Sequence, residues 1–157
     1  MVKISIVPLE LPNVEQIIAD IDQAMVEGLT EAGTLAQNVV MDTIQNYYVK
    51  GSGYKGLSEK YKKRLQRKGR WPHRGLISDR DDHPKLIDNI DLNYRRGVFG
   101  KLYIFELSVG VQHGIYLEKG TPKIQKRPFF YAPLARAENR MLRKFTDAIS
   151  RVLEKYN

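Results

Sequence analysis

Histidine and aspartate are the residues of this sequence that could in principle supply metal-binding or acid–base chemistry. None of the three histidines has a neighbour at metal-ligand spacing. Asp79, Asp81 and Asp82 lie together, but no glycine or glutamate follows at the spacing of a calcium-binding loop. Cysteine is absent, which removes thiolate metal sites and cysteine nucleophiles. We therefore expect no catalytic residue, no cofactor and no metal, and we predict that the protein is not an enzyme.

A dense run of positive charge is the strongest binding signal in the sequence. Residues 55–74 contain nine Lys or Arg and one acidic residue, whereas residues 1–54 carry a net charge of −5. The basic patch is predicted on a short helix within residues 59–70, which Ser58 caps and Gly69 ends. Its members are Lys60, Lys62, Lys63, Arg64, Arg67 and Lys68.

This basic patch leaves three interpretations open. Together with Tyr54, Tyr61 and Trp71 as stacking groups, it is a candidate surface for DNA or RNA. It is equally suited to the acidic first third of a neighbouring copy, because the chain is dipolar. The third interpretation is an ordinary solvated face.

Length and composition indicate one folded domain spanning residues 1–157. Hydrophobic residues make up 42% of the chain and charged residues 28%, which is enough apolar material for a core. The formal net charge is +8. No apolar run is long enough to span a bilayer and no secretory signal is visible, so we expect a soluble protein without a membrane partner.

The elements that must position these residues begin with a long helix from Val14 to about Tyr48. Asn13 is predicted to cap it, with Gln16 completing a capping box, and Gly28 and Gly33 predict a bend or break. Its apolar residues follow helical spacing and are assigned to the core. They are Val14, Ile17, Ile18, Ile21, Met25, Leu29, Ala32, Leu35, Val39, Ile44, Tyr47 and Tyr48.

Strands and a second long helix complete the prediction. Residues 2–7 alternate like a short strand, and residues 91–96 and 101–111 read as a hairpin with a bulge near Phe105. Residues 114–120 are predicted to form no more than one helical turn, and residues 122–128 an extended loop. A helix is expected from about Tyr131 to Tyr156, with Leu153 in its apolar stripe.

The predicted fold class is α+β. Long N-terminal and C-terminal helices pack on a small antiparallel sheet, and a short basic helix and a long loop lie between them. Residues 51–83 form this insertion of basic helix and flexible loop. The part of it from 70 to 83 lacks periodicity and is predicted to be exposed.

The most specific string in the chain is VGVQHGIYLEKGT at residues 109–121, followed by RPFF at residues 127–130. It resembles the signature of the tailed-bacteriophage neck and tail-component family, which carries a VG…YA…VE.GT…RPF pattern between a hairpin and a C-terminal helix. Residues 85–90 (KLIDNI) are similar to that family's G-R-L-R-x-S-I turn. Residues 56–64 and Trp71-Pro72 resemble the related phage virion-morphogenesis proteins. The resemblance covers about two-thirds of the chain, from Gly56 onward.

The motif residues have a physical interpretation as an assembly site. A turn at Gly120 would have positive φ and open an extended arm, and Glu118 would either cap a helix or pair with Arg127. Phe129 and Phe130 would anchor the arm in the protein's own core or in a neighbouring subunit. The complete predicted assembly site is Glu118, Gly120, Thr121, Arg127, Pro128, Phe129 and Phe130.

By resemblance, the expected function is structural. The protein would act in head–tail joining or tail completion as a homo-oligomeric ring, located in the virion after synthesis in the host cytoplasm. Its partners would be copies of itself and other phage neck or tail proteins, with DNA nearby. The alternative is a nucleic-acid-binding module that uses the basic helix at residues 59–70. A small basic ribonuclease is a third possibility, which lacks a convergent acid–base set.

Overall fold

The computed structural model describes residues 13–48, 56–71, 75–76, 85–96 and 103–156. A single-turn 3₁₀ helix at Ile87–Asn89 precedes the first strand. The other elements, in chain order, are α1 (Val14–Asn46), α2 (Glu59–Arg67), β1 (Ile90–Arg96), β2 (Tyr103–Val109), α3 (Gln112–Lys119) and α4 (Tyr131–Lys155). The α+β class is confirmed: α1 packs against α4 and against both strands of an antiparallel pair. The strand predicted at residues 2–7 lies outside the described residues.

Helix α1 is unbroken over 33 residues, so of the bend or break predicted at Gly28 and Gly33 the break is wrong. Both glycines are close-contact positions. A Cβ at Gly28 would lie 3.0 Å from the Cβ of Ala148 in α4, and one at Gly33 would lie 2.9 Å from the hydroxyl of Tyr94. Tertiary packing therefore outweighs the weak helix propensity of glycine here.

The start of α1 is capped by Asn13 as predicted. The Asn13 side-chain oxygen accepts a hydrogen bond from the Glu15 backbone N–H at 3.0 Å. The predicted capping box is wrong, because the Gln16 amide donates to Asp20 one turn further along instead of returning to Asn13.

Ion pairs line the seam between α1 and α4. Lys155 Nζ lies 2.7 Å from Asp20, while Lys144 and Arg151 approach Glu31 at 3.3 and 3.5 Å. Hydrogen bonds from Lys155, Tyr156 and Gln16 lower the pKa of Asp20 to about 2. Part of the acidic charge of α1 is thus neutralised by α4 within the same chain.

The two strands pair without the predicted bulge. Seven consecutive pairs run from Ile90 opposite Val109 to Arg96 opposite Tyr103. The bulge was inferred to bring Leu102 and Ile104 to the same face as Leu107 and Val109. Leu102 lies outside the described residues, but Ile104 is 43% exposed, and Tyr103 and Phe105 occupy the more buried face.

The main core lies between the C-terminal half of α1, the sheet and the start of α4. Its buried members are Val40, Ile44, Tyr47, Leu76, Leu86, Ile90, Val111 and Phe129. Leu76 belongs to the segment predicted to be exposed, and that prediction is wrong at this point, since the Leu76 N–H donates to the Ile44 carbonyl at 2.7 Å. Within the described ranges, no helix is long and apolar enough to cross a membrane.

Candidate functional site

Glu118 is a buried acidic residue that caps helix α4 from the end of α3. Glu118 is only 8% exposed. One carboxylate oxygen accepts from the N–H groups of Phe129 (2.7 Å) and Phe130 (3.0 Å), and the other accepts from Tyr131 (3.2 Å). The N–H groups of Phe130 and Tyr131 are among the donors that the start of a helix leaves unused, the Phe129 N–H lies just before the helix, and the negative charge lies at the positive end of the helix dipole. Of the two roles predicted for Glu118, capping is confirmed.

The segment between Glu118 and α4 folds back on α3. Gly120 has φ +76°, the conformation predicted for it, and a Cβ there would lie 2.9 Å from the backbone nitrogen of Lys126. The Thr121 hydroxyl accepts from the Ile124 N–H at 2.9 Å, and the Arg127 N–H donates to the Leu117 carbonyl at 2.7 Å. Residues 121–130 contain no regular element, in agreement with the predicted extended loop. We call Glu118, residues 120–130 and the start of α4 the Glu118 junction.

The two phenylalanines of the predicted assembly site have different surroundings. Phe129 is 1% exposed and belongs to the core of its own chain. Phe130 is half-buried and packs edge-on against Phe129, and Pro128 before them is also half-buried. Of the two environments predicted for Phe129, its own core or a neighbouring subunit, the structure shows its own core.

Helix α3 has eight residues, so the prediction of a single turn at most is wrong. Helix α3 and the start of α4 together present an apolar surface that the sequence did not reveal. A groove of about 300 Å³ runs between β2 and the Glu118 junction, and Ile115, Lys119 and Tyr131 line its rim. Ile115 is 54% exposed and Tyr131 is 69% exposed. We call these three residues the groove face.

A second apolar surface lies on the N-terminal half of α1. Val14, Ile18 and Val26 are 67%, 57% and 44% exposed, so assigning Val14 and Ile18 to the core was wrong. Together with Asp22 they follow i, i+4 spacing and form one ridge, beside which lies the exposed Glu15. We call these five residues the α1 ridge. The signal in the sequence was that apolar residues cover more than one face in the first turns of α1.

The basic patch lies on α2, which begins and ends as predicted. The Ser58 hydroxyl accepts from the Tyr61 N–H, and Gly69 follows the helix with φ +66°. Leu57 and Leu65 are buried beneath the helix. All six members of the patch are exposed except Lys62, which is half-buried and pairs with Glu59.

The far end of α1 brings α2 and the Glu118 junction together. The Arg127 guanidinium lies 5.8 Å from the centre of the Tyr48 ring, so Arg127 contacts this ring and not Glu118. Burial raises the pKa of Tyr48 to about 12, and Arg127 opposes the rise while the nearby Tyr61 adds to it. Tyr48 therefore lies between Arg127 and Tyr61, which are 66 positions apart in the sequence.

Residues able to bind a metal ion do not cluster in the described part of the chain. No group of three or more His, Asp or Glu residues there could hold a metal ion. His113 is half-buried in α3. The three aspartates of residues 79–82, the other two histidines and Tyr54 lie outside the described residues.

Comparison with known proteins adds no relative. No family model matches the chain, and no curated protein or solved structure is similar to it.

Proposed function

We propose that this protein is a non-enzymatic structural protein of a tailed bacteriophage that acts in head–tail joining or tail completion as a ring of identical copies. The observation that carries the proposal is the pair of exposed apolar surfaces, the groove face and the α1 ridge. They lie at different places in the fold: the ridge is on the first turns of α1, while the groove lies between β2, α3 and the start of α4.

Two different surfaces on one chain are what a head-to-tail contact requires. Such a heterologous contact closes into a ring when its rotation allows it. The charges of the two surfaces are complementary, because Lys119 borders the groove and Glu15 and Asp22 lie on the ridge. None of these three residues forms an ion pair with another described residue.

The motif that resembles the signature of the phage neck family supports the same function. Its residues build the Glu118 junction, in which a buried carboxylate, a left-handed glycine and a core phenylalanine fix the backbone. A fixed backbone at this junction reduces the conformational entropy that the groove face loses on binding.

Light scattering over a range of protein concentrations tests self-association. The groove variant Ile115→Ser/Tyr131→Ser and the ridge variant Ile18→Ser/Val26→Ser are each expected to be monomeric where the natural protein forms a discrete oligomer. Leu142→Ser/Leu153→Ser is the matched control, because both leucines are exposed on α4 outside the two surfaces. A natural protein that is monomeric at every concentration would contradict self-association through these surfaces.

Mixing the two variants distinguishes a head-to-tail contact from a symmetric one. The groove variant keeps an intact ridge and the ridge variant keeps an intact groove, so an equimolar mixture is expected to give a dimer that cannot grow further. A mixture that stays monomeric argues against contact between these two surfaces.

The phage role has its own test. In a phage or prophage that carries this gene, a stop codon at Tyr131 is expected to give filled heads and separate tails by electron microscopy. Joined, infectious particles from that mutant would refute the proposed function.

A further inference from the structure

The chain carries a third exposed surface, distinct from the two apolar ones, at the C-terminal end of α1. Ten Lys or Arg residues come from two segments that are far apart in the sequence. We call them the basic surface: Lys60, Lys62, Lys63, Arg64, Arg67, Lys68 and Arg70 from α2 and its C-terminal flank, and Lys123, Lys126 and Arg127 from the loop before α4.

Tyr48 connects the two segments of this surface. Arg127 of the loop lies over the Tyr48 ring at 5.8 Å, and Tyr61 of α2 is close enough for its hydroxyl to influence that of Tyr48. The basic helix and the basic loop are therefore neighbours in the fold, although the sequence gives no indication of it.

The backbone of both segments is held in place. Leu65 is 1% exposed and anchors α2, while the Arg127 N–H bonds to the Leu117 carbonyl at 2.7 Å. Cations on a fixed backbone lose less freedom on binding than cations on a flexible tail, so the surface is suited to contact a regular array of charge.

Half of the ten cations of this surface form no ion pair with a described residue. Its one exposed acid is Glu59, which pairs with Lys62. Lys60, Lys63, Arg67, Lys123 and Lys126 form no ion pair with a described residue. By contrast, the acids Asp20 and Glu31 of α1 are already paired with α4.

This contrast decides between two possible partners. A neighbouring copy offers separate acidic side chains, of which Asp20 and Glu31 are already paired, whereas duplex DNA carries a continuous array of one negative charge per ~1.7 Å of its axis. Tyr48 and Tyr61 are half-buried, which leaves Trp71, 38% exposed beside Arg70, as the stacking group for an unpaired base among the described aromatic residues of this region, and a single stacking group favours a duplex over a single strand. Lysine and arginine dominate the exposed side chains, which favours phosphate contacts without base readout.

We propose that the basic surface binds the phosphate backbone of double-stranded DNA. Both segments contact the same duplex, so neutralising either one weakens binding. This property is independent of self-association through the groove face and the α1 ridge.

Fluorescence anisotropy with a labelled 30-base-pair duplex of arbitrary sequence tests the proposal. The natural protein is expected to bind with an affinity that falls steeply as salt rises, by roughly 0.9 log unit per log unit of salt for each phosphate contacted. The helix variant Lys63→Glu/Arg67→Glu and the loop variant Lys123→Glu/Lys126→Glu are each expected to lose at least about tenfold in affinity and to show a shallower salt dependence.

The matched control is Arg140→Glu/Arg143→Glu, which makes the same charge change at two exposed positions of α4. It is expected to change the affinity by less than about threefold, as long-range charge effects are screened by salt. Circular dichroism of each variant checks that the fold is retained.

Four results would overturn the proposal. They are no duplex binding by the natural protein at low salt, equal losses in all three variants, an unaffected loop variant, and tighter binding of a single strand than of the duplex. Light scattering on the same samples tests the other possible partner, a second copy of the chain. If the helix variant alters the oligomer mass and leaves DNA affinity unchanged, the basic surface contacts another copy and the proposal is wrong.

Discussion

The seam between α1 and α4 and the Glu118 junction use the same residue type in opposite ways. At the seam, Asp20 and Glu31 pair at the surface with long, exposed cations of α4. At the junction, Glu118 is buried and its partners are three backbone N–H groups. Exposed ion pairs contribute little to stability, whereas a buried acceptor that satisfies several donors contributes much more. Packing must therefore stabilise the seam, whereas the Glu118 carboxylate stabilises the junction.

Removing the Glu118 carboxylate should have the largest effect. Glu118→Ala leaves three N–H groups at the start of α4 without an acceptor, and we expect the free energy of unfolding to fall by about 3 kcal/mol. Glu118→Gln keeps one acceptor oxygen and should lose about half as much. Urea denaturation measures both changes.

The control for this prediction is Glu138→Ala, an exposed acid on α4, which should change the free energy of unfolding by less than about 0.5 kcal/mol. If Glu118→Ala were as mild as this control, the cap would not stabilise the junction.

Separating the two helices should have the next largest effect and would show that packing holds the seam. Gly28→Leu places a side chain where even a Cβ would lie 3.0 Å from the Phe145 carbonyl oxygen of α4. We expect a loss of about 2 kcal/mol, typical of an overfilled contact, in the same urea experiment. Asn38→Leu, at an exposed position of the same helix, should be nearly neutral, and equal losses in both variants would contradict the importance of this close contact.

The charge at the seam should matter least, and only in acid. Because the pKa of Asp20 is held near 2, below its ordinary 3.8, the folded protein releases this proton more readily than the unfolded chain. Its contribution is present above pH 4 and is lost as the pH falls towards 2. Asp20→Asn should therefore flatten the decline in melting temperature between pH 5 and pH 2.

The matched control for Asp20 is Asp147→Asn on α4, whose carboxylate forms no ion pair with a described residue. It should retain the slope of the natural protein. A slope unchanged by Asp20→Asn would mean that the pairing with Lys155 does not persist in solution.

Local signals in the sequence predicted much of the fold. Helix ends were correct where a cap or a turn decides them, as at Ser58 and Gly69, and the start of α4 was placed correctly at Tyr131. Errors arose where distant contacts decide. Gly28 weakens an isolated helix, but here it allows α4 to approach, and no local rule contains that contact.

The candidate sites were predictable to a smaller extent. Capping by Glu118 was one of two roles that the sequence left open, and the cations of α2 are evident in the sequence. The exposure of Ile115 and Tyr131 could not be predicted from the sequence, because large apolar residues in helices normally indicate a core. The approach of Arg127 to Tyr48 joins segments that only the folded chain brings together.

The unbroken course of α1 makes this helix a spacer of fixed length. At 1.5 Å per residue, its 33 residues measure about 50 Å. The ridge occupies one end of this rod and the basic surface the other, so whatever binds at the two ends is kept a constant distance apart. Spin labels at Glu15 and Asn46 are expected to give one narrow distribution of label-to-label distances at ~46 Å.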